Sequence, residues 1–191
     1  MSDILIGFVN EKTSTYIENL LLNNNHFPYY LNHLTSKFNN NYEVLNLNGY
    51  KEHPHFSHAF IMEGRRTDST AWDLILKPIW NDILKNNHIE FTEFIRARIS
   101  LTTKHPSKLP TAPHIDSPEN HKVLIYYVNS SDGDTILYDQ KFNNSPIDNL
   151  TIKYKCTPEK GKFIIFDGDT YHSGSPPNNS NYRCIINVNY K

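Results

Sequence analysis

Phe91-Thr92-Glu93-Phe94-Ile95-Arg96-Ala97-Arg98-Ile99-Ser100-Leu101-Thr102 is the stretch on which the fold turns. Apolar and polar residues alternate along it, and a period of two marks a strand with two unlike faces. Ile95, Ala97, Ile99 and Leu101 share one face, while Arg96, Arg98, Ser100 and Thr102 share the other. The polar face has two readings, a solvated outer surface or the lining of a barrel mouth. One loop after this strand stands Pro113-His114-Ile115-Asp116.

Downstream, the chain continues as short strands between turn residues. Val123-Leu124-Ile125-Tyr126-Tyr127-Val128 ends at Ser-Ser-Asp-Gly, and Thr135-Ile136-Leu137-Tyr138 runs on towards Asn143-Asn144-Ser145-Pro146. Residues 151–156 alternate again. Pro158-Glu159-Lys160-Gly161 turns into Lys162-Phe163-Ile164-Ile165-Phe166, Asp167-Gly168-Asp169 follows, and residues 183–190 form a last strand. Many short strands at near-regular spacing predict a mainly β fold with flanking helices, as a small antiparallel barrel or a double-sheet jelly roll.

Upstream the period changes. Trp72, Ile75, Leu76, Ile79, Trp80, Ile83 and Leu84 keep helical spacing, so residues 68–87 read as a helix laid against the sheet. Asp68, Ser69 or Thr70 can cap it, and Pro78 should kink it. Tyr16, Ile17, Leu20 and Leu21, then Tyr30, Leu31, Leu34 and Phe38, predict two short helices separated by Asn23-Asn24-Asn25 and Pro28. Residues 44–49 suggest a strand and turn. His53-Pro54-His55-Phe56-Ser57-His58 reads as an exposed loop, because its spacing matches no metal motif and Glu52 is the only adjacent carboxylate. The expected organisation is one domain over 1–191, with 1–90 a helical or mixed support and 91–191 the barrel core.

Bulk properties narrow the function classes. At 191 residues the chain can enclose a core without disulfides or a structural metal. A formal net charge of −1 gives no global field to recruit nucleic acid or acidic lipid. Two cysteines, Cys156 and Cys184, are too few for a disulfide scaffold and are expected as reduced thiols. No apolar run approaches the roughly 18 residues that span a bilayer, and no basic-then-apolar leader is evident. A soluble cytoplasmic protein is expected, without nucleic-acid or membrane partners.

Among ten histidines, one His-x-Asp triplet is unremarkable by itself. On a strand, however, residues i and i+2 face one way, so His114 and Asp116 converge. One more imidazole completes the two-histidine, one-carboxylate facial triad, which leaves positions open on an octahedral iron. His121 is too near in sequence, His105 sits in a Lys-His-Pro turn, and His88-Ile89-Glu90 lies at a helix end. His172 follows a strand and precedes the loop that returns the chain as the final strand, so it is the expected third ligand. Arg183 starts that strand. A buried guanidinium near a metal requires an anion, and its fork matches a carboxylate.

These pieces resemble the iron(II)- and 2-oxoglutarate-dependent dioxygenases, in particular the prolyl hydroxylase-like branch. The resemblance rests on His114-Ile115-Asp116, the strand Ile125-Tyr126-Tyr127-Val128-Asn129, the turn Asp132-Gly133-Asp134-Thr135, His172, and Arg183-Cys184-Ile185-Ile186-Asn187-Val188. It covers about residues 95–190. It implies a double-stranded β-helix of cupin-like jelly-roll type, with iron(II) on His114, Asp116 and His172. It further implies 2-oxoglutarate held at its far carboxylate by Arg183 and O₂ as the other cosubstrate. Tyr127 is a candidate second donor to that carboxylate, with Tyr126 turned into packing. The family often has a tyrosine on the strand before the triplet; Ser100, Thr102 or Thr103 stands there, and Thr102 is the candidate hydroxyl donor. Gly133 is a single glycine where relatives often have two. The reaction implied is hydroxylation of an unactivated carbon with release of succinate and CO₂, on a peptide, amino acid or small molecule. Arg96 and Arg98, with the 141–150 loop, are the candidate contacts for an acidic substrate. A cupin-like metal barrel that uses no 2-oxoglutarate and a non-catalytic β-sandwich binding module are the rival readings.

Overall fold

A computed structural model describes residues 4–32, 51, 53–143 and 149–191. Residues 44–49, the Leu34 and Phe38 positions of the second expected helix, Glu52, and the loop residues 144–148 lie outside these.

In chain order the elements are β1 (Ile4–Phe8), α1 (Glu11–Leu22), β2 (Tyr30–Asn32), β3 (His55–Met62), β4 (Arg65–Arg66) and α2 (Ser69–Ala71). A π-helical segment (Trp72–Leu76), α3 (Lys77–Asn86), β5 (Phe94–Thr103), β6 (Lys122–Tyr127) and β7 (Thr135–Lys141) come next. β8 (Ile152–Cys156), β9 (Lys162–Asp167), β10 (Thr170–Gly174) and β11 (Tyr182–Tyr190) complete the chain. The larger sheet runs β1-β9-β6-β11-β5-β3-β2 with β4 on β3, and the smaller runs β10-β7-β8. A single bridge, His114 to His172, attaches the metal-motif segment to the edge of the smaller sheet. Two facing antiparallel sheets with helices on one side make a jelly-roll double-stranded β-helix, as expected.

Each face of the larger sheet has its own core. On the helix side Ala97, Ile99, Leu124, Tyr126, Cys184, Ile186 and Val188 pack with Ile17, Leu21, Ile75, Ile79, Trp80 and Ile83. On the other side Val123, Ile125, Tyr127, Ile164, Phe166 and Ile185 meet Leu137 and Cys156 of the smaller sheet. Consecutive tyrosines 126 and 127 thus serve opposite faces, which follows from the alternation of a strand. Because the apolar face of β5 is taken by the helices, its polar face looks inward. The solvated-surface reading of that face is set aside.

Asp68 caps the long helix by accepting from the Ala71 amide at 3.0 Å. Pro78 lacks an N–H and its ring collides with the carbonyl four residues back. The chain absorbs this one turn earlier, where the Lys77 amide reaches the Trp72 carbonyl in a wider π turn.

Two expectations are corrected. Tyr30 and Leu31 belong to a strand, β2, paired to β3, not to a second helix. The His53–His58 stretch is not an exposed loop: His53, His55 and His58 are all buried, and β3 begins at His55. His58 ties β3 to the helix cap, with Nε2 at 2.8 Å from Asp68 Oδ2 and Nδ1 at 2.9 Å from the Pro28 carbonyl. Strands from both sides of residue 90 build the larger sheet, since β1 pairs with β9 and β3 with β5. No helix among the described residues is long and apolar enough to cross a membrane.

Candidate metal centre

The inner face of the larger sheet is a ladder of rungs set by strand register. β11 pairs with β5 so that Arg183 stands opposite Thr102, Ile185 opposite Ser100, Asn187 opposite Arg98 and Asn189 opposite Arg96. On its other flank β11 sets Ile185 against Tyr127 and Asn187 against Ile125. The smaller sheet supplies the facing wall, with His172 on β10 opposite Leu137 of β7. Between the walls lies a pocket, open at its mouth and lined by both sheets.

His114, Asp116 and His172 meet at the pocket, their ligand atoms all within 4.8 Å of one another. His172 Nε2 lies 3.9 Å from Asp116 Oδ2. The two histidines are held alike: Nδ1 of His114 lies 2.9 Å from the Ala112 carbonyl, and Nδ1 of His172 lies 3.1 Å from the Thr170 carbonyl. A carbonyl can only accept, so each Nδ1 carries the proton and each Nε2 presents its lone pair. Burial, then the neighbouring His114, pulls His172 down to about 4, so this imidazole is neutral at pH 7.

Asp116 is held by three donors. Arg96 Nη2 donates to Oδ1 at 2.5 Å, and the side-chain amides of Asn187 and Asn189 donate to Oδ2 at 3.0 and 2.9 Å. Burial alone raises the carboxyl, but Arg96 above all, then His172, His114 and Arg98, outweigh it and hold Asp116 well below the usual carboxylate range. Two imidazoles and one fixed carboxylate brought together suit an octahedral divalent ion with open positions. The donor chemistry fits iron(II).

At the deep end Arg183 is buried, and its Nη2 donates to Thr135 Oγ1 at 2.7 Å. Tyr127 donates to the same oxygen at 2.8 Å. Burial lowers the Arg183 pKa, with Tyr127 the largest opposing influence. Burial drives the Tyr127 phenol well above its usual value, so it stays a donor. Thr135 accepts from both and has its own O–H left to give. Gly133 lets this corner close: a Cβ there meets the Ser175 carbonyl at 2.6 Å and Arg183 Cδ at 3.0 Å. Thr102 also lines the pocket.

The two β5 arginines separate in role. Arg96 is ion-paired with Asp116 and is not among the residues lining the pocket. Arg98 lines the pocket itself. Burial, then the like charge of Arg96, lowers it to about 10, still cationic at neutral pH.

Sequence reasoning missed His53, His55 and Thr135, which line the pocket, and Asn187 and Asn189, which anchor Asp116. The asparagines were findable, since they share the inward face of β11 with Arg183 at spacings of two. The histidines were obscured by a stretch rich in loop signals.

No protein-family model and no curated protein matches the sequence. Solved structures do. A prolyl hydroxylase from Trichoplax adhaerens, in complex with a hypoxia-inducible factor oxygen degradation domain peptide, aligns over 100% of this chain and 84% of its own, with TM-score 0.59 and 16% identity. The chain has the 2-oxoglutarate oxygenase fold. The non-heme α-ketoglutarate-dependent epimerase SnoN from nogalamycin biosynthesis shares that fold over 99% of this chain and 77% of its own (TM-score 0.64, 12% identity). So does a 2OG-Fe(II) oxygenase family oxidoreductase from Burkholderia pseudomallei, over 87% and 74% (TM-score 0.56, 11% identity). Within the fold seen here, His114, His172 and Arg183 line one pocket, with Asp116 beside the two histidines.

Proposed function

We propose that this protein is an iron(II)- and 2-oxoglutarate-dependent oxygenase that hydroxylates an unactivated carbon and releases succinate and CO₂. One observation carries the reading: two histidines of a clustered His-Asp-His set line the same pocket as a buried, permanently charged arginine. Iron(II) on His114, Asp116 and His172 supplies the oxidising chemistry with 2-oxoglutarate and O₂. Everything else falls to the chain.

Arg183 offers the fork for the far carboxylate of 2-oxoglutarate, with Thr135 and Tyr127 positioned by their shared bond and Thr102 across the rung. Asn187, Asn189 and Arg96 keep Asp116 ionised and fixed in direction, so its ligand geometry is set before the metal arrives. The smaller sheet and the loop at Ser175 and Pro176 restrict water at the deep end. A peptide, amino acid or small molecule enters from the open mouth; the Trichoplax enzyme was solved with a peptide, and SnoN with nogalamycin RO. Cys156 and Cys184 are free, buried thiols, which suits a reducing compartment such as the cytoplasm.

The test is succinate release and O₂ uptake by iron-reconstituted protein. Both are expected to require 2-oxoglutarate and to vanish in His114→Ala and Asp116→Ala. Arg183→Met is expected mainly to raise the 2-oxoglutarate concentration needed. Full turnover in either triad variant overturns the assignment. O₂ uptake without 2-oxoglutarate favours the simpler metal barrel, and failure to retain any metal favours a binding module.

A further inference from the structure

The proposed chemistry accounts for two of the three inward arginines. Arg183 serves the deep end, and Arg96 is spent on Asp116. Arg98 stands on the rung between them, directly opposite Asn187, whose amide bonds the candidate ligand Asp116 at 3.0 Å. The rungs of Arg183 and Arg98 are four residues apart along the sheet, roughly 13 Å at strand rise. Arg98 is therefore at the level of the metal triad, away from the deep end.

Among the described residues no hydrogen bond or ion pair reaches the Arg98 guanidinium, and its buried Nε has no partner. None of the described residues lining the pocket is a carboxylate, and Asp116 already has Arg96 and two asparagines. On β3 the residue facing Arg98 is Ala59, too small to fill the space beside it. A guanidinium in such a place is costly unless an anion arrives. 2-Oxoglutarate does not meet the need. Its far carboxylate is assigned to Arg183 and its keto-acid end to the metal, and Asp116 is paired with Arg96, so Arg98 is left without an anion.

We propose that Arg98 anchors a carboxylate of the hydroxylated substrate, so that the protein acts on small carboxylic acids whose reacting C–H lies close to the acid group. The assignment rests on the oxygenase reading above. Arg98 fixes the acid end near the metal, Ser100 on the same inward face offers a hydroxyl, and the rest of the molecule extends towards the mouth.

Calorimetric binding tests this on protein loaded with manganese(II) and saturated with 2-oxoglutarate under anaerobic conditions. The probes are the free L-amino acids and their C-terminal amides, pairs that differ at the carboxylate. At least one acid is expected to bind, with its amide at least about ten-fold weaker. Arg98→Met is expected to weaken that acid by about ten- to a hundred-fold, and Arg98→Lys, which keeps the charge but loses the fork, by less. The affinity for 2-oxoglutarate should change by less than about two-fold in both.

An acid and amide that bind equally, an Arg98→Met variant that holds the acid as tightly as the parent, or a panel in which no acid binds overturns the proposal. A large loss of 2-oxoglutarate affinity in Arg98→Met also overturns it, by placing Arg98 on the cosubstrate. If 2-oxoglutarate itself fails to bind the parent protein, the oxygenase reading has failed instead. Should Arg98→Met not fold, Arg98→Lys and the acid–amide comparison in the parent protein still decide.

Discussion

Replacing Thr135 by valine removes one oxygen and almost no volume, yet two buried donors depend on that oxygen. Tyr127 donates to it at 2.8 Å and Arg183 at 2.7 Å. A neutral hydrogen bond contributes about 0.5–1.5 kcal/mol and one from a charged group about 1.5–3, so Thr135→Val is expected to cost roughly 2–4 kcal/mol. In a chain of this size each kcal/mol moves the midpoint by about 2–4 °C, for a fall of roughly 4–16 °C. If 2-oxoglutarate places its far carboxylate against Arg183, it supplies acceptors to the same orphaned donors. The cosubstrate should then raise the Tm of Thr135→Val more than that of the parent. Thermal unfolding by circular dichroism, with manganese(II) and with or without 2-oxoglutarate, reads both quantities. A variant that melts within about a degree of the parent refutes the buried network. An equal gain from 2-oxoglutarate in both proteins refutes the placement of its carboxylate.

Three further outcomes are expected. Asp132 accepts the amides of Asn178, Asn179 and Ser180 at 3.1, 2.7 and 3.1 Å. Burial opposes the charge, but these amides draw its pKa down to about 2. A depressed carboxyl stabilises above its unfolded value near 4 and loses that contribution as pH falls towards 2. Asp132→Asn should therefore cost about 1 kcal/mol at pH 7, discounted for solvent screening, and converge with the parent in urea melts near pH 2. Gly133→Ala forces a methyl group against the Ser175 carbonyl and Arg183; it should raise the 2-oxoglutarate KM several-fold more than it lowers kcat. Gly168→Ala drives a methyl group into the His121 ring and should cost about 1–3 kcal/mol as overpacking, read by chemical denaturation.

The strand β5 was legible because its two faces differ, and the long helix because seven apolar residues keep one spacing. The triad was legible for a related reason: His114 and Asp116 are two apart, and His172 had the right neighbours. What sequence could not carry was the register between distant strands. Arg96 and Arg98 look identical as alternating residues; only the pairing of β5 with β11 sends one to Asp116 and leaves the other beside the pocket. Thr135 likewise gains its meaning from Tyr127 of the facing sheet and from Arg183, far off in the chain. His53 and His55 were misjudged because proline and polar neighbours mimic a loop, while their burial comes from β5 and the segment at Leu109, whose carbonyl lies 2.7 Å from His53 Nε2. At Tyr30 and Leu31, strand pairing with β3 overrode the local helical spacing.

Strand β11 lies between β5 and β6, yet both are synthesised well before it. Until it arrives, each presents an open edge, and the sheet is two separate pieces. Pairings across such sequence distance form slowly, so a nascent chain is exposed to edge-to-edge association during that interval. The same strand brings Arg183, Asn187 and Asn189. A partly assembled sheet therefore has neither the Arg183 corner nor a properly held Asp116, and if the chain binds 2-oxoglutarate as proposed, that ligand would selectively stabilise completed molecules during expression and refolding.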